Sequence, residues 1–203
     1  MIHPRIRNTM FAMALMPAVA LAGSHSSDET GHGGTYAFDR EGAHQFVQFK
    51  IGHLQFSYLY GRFNDFDGEF VYDAENPENS SVTVTLQTAS VDSNHGERDR
   101  HLRNEDFLHV DEYPEATFTS TFVEMHDEDH ATITGDLTLR GVTQEVDLDM
   151  KMVGHGEDPW GSYRMGFEGS TTLDLDDFDF PQEHRGPDAQ EVELILSVEG
   201  IRQ

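Results

Sequence analysis

From Tyr36 to the C-terminus, large apolar residues recur at every second position, which is the period of a half-buried β-strand and not of a helix. Val47, Phe49 and Ile51 share one parity, and Phe66, Phe70 and Tyr72 share another with Gly68 between them. Val82, Val84 and Leu86 follow, then Phe118 and Phe122 flanking Ser120, then Ala131, Ile133, Leu137 and Leu139. Val146, Leu148, Met150 and Met152 continue the pattern, as do Tyr163, Met165, Phe167, Thr171, Leu173 and Leu175, and finally Val192, Leu194, Leu196 and Val198. The residues between them are mostly Thr, Asp, Glu and Gln, as antiparallel strands with one wet face require. Turn-forming residues punctuate the runs at Glu75–Ser80, Asp127–Asp129, Arg140–Gly141 and Gly154–Gly161. About eight such strands with short connections make either a closed antiparallel barrel or a two-sheet sandwich, and the periodicity alone favours neither.

Two stretches break the alternation. In Asn94–Arg103, Asn94 and Glu97 have the spacing of a capping box, so a short helix is expected from Asn94, seated by Leu102, Phe107 and Leu108. His53–Gly61 reads as irregular and is dense in apolar and aromatic residues: Leu54, Phe56, Tyr58, Leu59 and Tyr60.

Ahead of the strands, Arg5 and Arg7 flank an apolar run from Met10 to Leu21 that is too short to span a bilayer as a helix. Small residues at Ala20 and Ala22 suit a secretory cleavage site. The expected organisation is a signal peptide over 1–22, a flexible polar tail over 23–34, and one domain over 35–203 in the periplasm. Charge agrees with a soluble exported protein. Against 38 acidic residues stand only 13 Lys and Arg, a formal charge of −25. Such a surface repels phosphate backbones and anionic bilayers, so nucleic-acid partners and stable membrane insertion are not expected. The acids are spread along the chain, which suits a salty exterior better than one cation site.

Chemistry-bearing motifs are sparse. Without cysteine, the chain has no disulfide, thiolate site or Cys nucleophile. His126 and His130 are four apart, but Asp127 stands where a zincin has Glu, and the segment reads as a hairpin tip rather than a helix. Asp65–Gly68 lacks the remaining ligands of a calcium loop. Neither a nucleophile elbow nor a phosphate loop occurs. The expectation is no catalytic residue, no metal and no cofactor.

A set of ordered motifs resembles the YceI family: Glu41–Leu54, Tyr58–Gly68, Ser90–Arg103 with Asp106–Leu108, Tyr113–Thr121, Gly135–Thr143 and Gln190–Gly200. The likeness spans roughly 35–203. It implies a lipocalin-like, eight-stranded antiparallel β-barrel with one or two short helices. It also implies an elongated apolar cavity for a polyisoprenoid chain: an isoprenoid quinone, its precursor or a polyisoprenoid phosphate. A carrier of this kind is not an enzyme. Alternation then nominates Phe49, Ile51, Leu86, Phe118, Phe122, Ile133, Leu137, Met150, Met165 and Phe167 as cavity lining. His53, Leu54, Tyr58, Arg98, His101 and Leu102 are the candidates for mouth or gate, the gate being formed by 53–61 and 94–108.

One departure is informative. Family members commonly carry a basic residue just before an Asp-Phe pair, and here that place is Asp176, ahead of Asp177–Phe178. This predicts a neutral head group rather than a phosphate. A periplasmic stress or cation-binding protein using its His and acidic residues is the alternative reading, and a lipid-modifying enzyme a more distant one. A homodimer is compatible with the sequence, which does not fix oligomeric state.

Overall fold

The alternating runs become strands in the computed structural model, which describes residues 31–203. They are β1 (Gly34–Phe38), β2 (Gln45–His53), β3 (Ser57–Phe63), β4 (Phe66–Tyr72), β5 (Ser81–Gln87), β6 (Val91–Asp92), β7 (Glu115–Met125), β8 (His130–Leu139), β9 (Val142–Glu157), β10 (Tyr163–Asp174) and β11 (Glu191–Arg202). Among the described residues a single α-helix, α1 (Gly96–Arg103), lies between β6 and β7. The expected signal peptide, and the expected tail up to residue 30, lie outside the described residues; Gly34, assigned to that tail, opens β1.

All pairings are antiparallel, and they run β1-β4-β5-β7-β8-β9-β10-β11 before β11 returns to β1. The sheet therefore closes into an eight-stranded barrel, which leaves no edge along that circuit. Three wall positions are built from broken strands. β1 and β2 both pair with β11, at Phe38↔Gly200 and Gln45↔Val198, so residues 39–44 stand opposite the single residue Glu199. Glu199 holds both sides of the gap: its carbonyl accepts from the Asp39 N–H at 2.8 Å and its N–H donates to the His44 carbonyl at 3.1 Å. In the same way β4 continues β3, and β6 continues β5 after a 3₁₀ turn at Thr88–Ser90.

Several local expectations are corrected. His53–Gly61 is not irregular: it is the end of β2, a tight turn and most of β3, paired from His53↔Ser57 to Phe49↔Gly61. Its turn uses left-handed backbone at Leu54 and Gln55, which no alternation pattern announces. Gly154–Gly161 is only partly a turn, because β9 runs on to Glu157; Asp158 then ties the bend by accepting from the Trp160 and Ser162 N–H groups, each at 2.9 Å. Helix α1 is capped by His95, whose Nδ1 accepts from the Arg98 N–H at 3.3 Å. Asn94 is left-handed (φ 63°), and an N-cap needs extended backbone. The helix has acids in its first turn and Arg100, His101 and Arg103 in its last, which suits its dipole.

The apolar interior falls into two clusters. Tyr36, Phe38, Phe66, Phe70 and Met165 pack at the level of β1 and β4. Phe49, Val91, Leu108, Leu173, Leu175, Phe178 and Phe180 pack at the other, beneath α1 and the β10–β11 connection.

Candidate ligand cavity

Inward side chains of an eight-stranded barrel either fill it or leave room for one small ligand. Here a cavity of about 590 Å³ remains, within the range of ligand sites. Glycines on neighbouring strands help to make it. The Phe49 ring lies where a side chain at Gly61 would stand, Phe118 does the same over Gly135, and Met150 over Gly169. Bulky groups thus lie flat against the wall instead of crossing the lumen.

Eight of the ten expected lining residues face this space: Phe49, Ile51, Leu86, Phe118, Ile133, Leu137, Met150 and Phe167. Phe122 does not. The β7–β8 register shifts between Ser120 and Phe122, so Val123 takes the inward place opposite Ile133 and Phe122 is left 60% exposed on the outer face. A strict period of two cannot see a β-bulge. Met165 is inward and fully buried but does not line the cavity; it is packed into the core with Tyr36, Phe38 and Phe70. The structure adds Val47, Leu59, Phe63, Phe66, Phe70, Val82, Val84, Leu139, Leu148, Leu173, Leu194 and Leu196. Most of these belong to the alternating runs, whereas Leu59 falls within the stretch expected to be irregular and Phe63 just beyond it.

At one end, His53, Arg98, His101 and Leu102 line the cavity. Leu54 and Tyr58 do not. Leu54 sits half-exposed in the β2–β3 turn, and Tyr58 points outward from β3, with the Lys50 ammonium 4.6 Å from its ring centre. Phe107, Leu108, His184, Arg185, Gly186 and Ala189 complete this mouth. The last four come from the long β10–β11 connection, whose sequence is polar and carries no strand or helix period. At the opposite end the lining reaches Pro77, Ser80, Ser81, Glu128 and Asp129, on the β4–β5 and β7–β8 hairpins. The basic side chains and histidines of the lining thus gather at the α1 end, and its acids at the other.

Hydrogen bonds fix the α1 end. Arg103 donates to the carbonyls of Ala89 (2.7 Å) and Val91 (2.6 Å), which ties the helix to the barrel rim. Arg98 gives its Nε to Ser93 Oγ (2.7 Å) and Nη2 to the Ser93 carbonyl (2.6 Å), while buried Asp99 accepts from the Ser93 N–H and hydroxyl. His101 and His184 each approach Asp106 at 3.2 Å. Asp176 accepts from Arg185 and from Gln182 Nε2 (3.1 Å), and the bond from Arg185 foremost holds its carboxyl below the usual range.

The broken β1–β2 position is held by Arg164. Its Nη1 donates to Asp39 and Glu199, both at 2.6 Å, and its Nε to Asp158 at 2.5 Å. Burial raises the Asp39 carboxyl, but the Gly42 N–H, His44 and Arg164 outweigh it and hold it at about 2. Asp39, His44 and Glu199 come within 4.8 Å of one another, a spacing that could hold a metal, yet Arg164 already supplies the countercharge. His126 and His130 lie at the β7–β8 hairpin, each turned to its own neighbour: Thr132 Oγ1 at 2.8 Å and Asp127 Oδ1 at 3.0 Å.

Comparison with known proteins adds three findings. A family model described as YceI-like domain matches residues 36–200. A UPF0312 protein of Ectopseudomonas mendocina is 53% identical over 198 residues, covering 98% of this chain and all of that one. Among solved structures, the YceI protein of Campylobacter jejuni superposes with a TM-score of 0.67 at 30% identity, over 76% of this chain and 91% of its own. A polyisoprenoid binding domain from Saccharophagus degradans gives 0.61 at 13% identity, over 83% and 98%, and so shares the fold.

Proposed function

Because the chain belongs to the YceI-like family, we propose that it is a non-catalytic carrier of a long isoprenoid lipid, exported by its N-terminal segment and working in the periplasm. One observation carries this reading: a cavity of about 590 Å³ walled by aliphatic and aromatic side chains from every strand position, with its ionisable groups confined to the two ends. Such a shape accepts a long apolar tail and offers a polar head only the mouth. Each CH₂-sized group of tail removed from water contributes about 0.8 kcal/mol, so some twenty carbons supply a gross driving force above about 10 kcal/mol. Ordering of the chain offsets part of this, and what remains retains a lipid without any bond-making step. Met150 and Met152 suit a branched, irregular tail because their side chains adapt to shape. The fold of the Saccharophagus degradans polyisoprenoid binding domain supports the same ligand class.

The test is uptake of a prenylated quinone by Phe118→Asp combined with Phe167→Asp. Both positions face the cavity, and the substitutions should abolish uptake, while Phe122→Asp on the outer face leaves it unchanged. Equal uptake by all three proteins would mean that the lipid does not occupy the barrel.

A further inference from the structure

At the α1 mouth, nearly every donor is already spent. Arg98 is committed to Ser93, and His101 and His184 both face Asp106. Arg185 is different. Its side chain is 5% exposed and lines the cavity, one nitrogen is given to Asp176, and its Nε and Nη1 have no acceptor among the described residues. Leaving two guanidinium N–H donors buried without acceptors is costly, and such groups in a cavity wall are normally satisfied by what the cavity holds. The loop that presents Arg185 is itself fixed: Asp188 accepts from the Gln55 N–H at 2.7 Å, and the Ala189 N–H donates to the Gly186 carbonyl at 3.1 Å.

The charge of this site is equally definite. Arg185 is neutralised by Asp176, which a second donor, Gln182, holds in place. Asp106 adds a further negative group beside His101 and His184. The mouth therefore offers donors without an excess positive charge, in a chain of net charge −25. A phosphate dianion entering here would meet an Arg185 already neutralised and an Arg98 whose Nε and Nη2 are spent on Ser93, beside the Asp106 carboxylate, whereas an uncharged oxygen acceptor needs only the donors.

Resting on the carrier reading above, we infer that the free edge of Arg185, oriented by Asp176, binds the head of the lipid and selects an uncharged oxygen acceptor such as a ring carbonyl over a phosphate. Asp176, directly ahead of Asp177–Phe178, is the acid that holds this arginine.

The experiment compares three probes with the same geranylgeranyl tail: a benzoquinone, a diphosphate and the headless hydrocarbon. The wild-type protein should bind the quinone at least about tenfold more tightly than the diphosphate, because taking a phosphate out of water without a compensating charge costs more than its hydrogen bonds return. Arg185→Met should weaken quinone binding about tenfold and leave the hydrocarbon unchanged. Asp176→Asn removes the neutralising charge and should shift preference toward the diphosphate, a readout that survives even if Arg185→Met folds poorly. Quinone binding indifferent to Arg185, or a diphosphate held as tightly as the quinone by the wild-type protein, overturns the inference and leaves the carrier standing. Failure of all three probes to bind overturns the carrier reading itself.

Discussion

Substituting Gly61 by alanine tests how the cavity is kept open. A Cβ built at Gly61 stands 2.2 Å from Phe49 Cζ and 2.5 Å from Cε1, with the Asp92 carbonyl at 3.0 Å. Ordinary carbon contacts are about 3.5–4.0 Å, so the ring must retreat by roughly 1.3 Å or more, and the lumen is the open side. Overpacking of this kind costs about 1–3 kcal/mol, offset by about 0.4–1 kcal/mol from the reduced freedom of the unfolded chain. Urea denaturation should therefore show a loss no larger than about 2.6 kcal/mol. The ligand suffers more distinctively. If the displaced ring denies room to one isoprene unit, the gross loss is about 4 kcal/mol for its five carbons. Partial repacking reduces this to about 1–2 kcal/mol, or about tenfold in affinity for a long tail, with short tails little affected. Adding Phe49→Ala removes the intruding ring and should restore long-tail binding. A tail-length series measured on both variants is the assay. Wild-type affinity for every tail in Gly61→Ala, or no recovery in the double variant, would refute the idea that glycine seats hold the lumen open.

Acid should unlock the barrel at the broken β1–β2 position. The Asp39 carboxyl is lowered from 3.8 to about 2, so its contribution of about 2 kcal/mol is fully present above about pH 4 and is lost as pH falls through 2; denaturation midpoints across that window should show the loss. Arg164→Met leaves buried Asp39 without its cation and should cost about 3–5 kcal/mol at neutral pH, a deficit that narrows in acid as the carboxylates protonate; a constant deficit from pH 7 to pH 2 would contradict the latch.

The sequence showed what depends on repetition and hid what depends on single residues. Alternation marks nearly every strand and most of the cavity wall, because inward and outward positions obey one rule along a strand. It fails at Phe122, where one extra residue reverses the rule, and around Leu54, where two left-handed residues make a hairpin tip look irregular. Closure of the barrel was not in the pattern either, since a sandwich has the same period. It rests on β11 pairing with both β1 and β2 around the Glu199 gap. Arg185 was the least visible. It lies in a polar connection of no period, and only the fold brings it to the mouth beside Asp176. Helix α1 lay between these cases: its acids and bases were plain, while its cap moved from Asn94 to His95 for a backbone reason.

The most direct test is mass spectrometry of an organic extract from the protein isolated out of its native cells. The account predicts about one long-chain isoprenoid per barrel, carrying an uncharged oxygen-bearing head. An empty extract, together with no uptake of added prenylated quinone by the stripped protein, would contradict it.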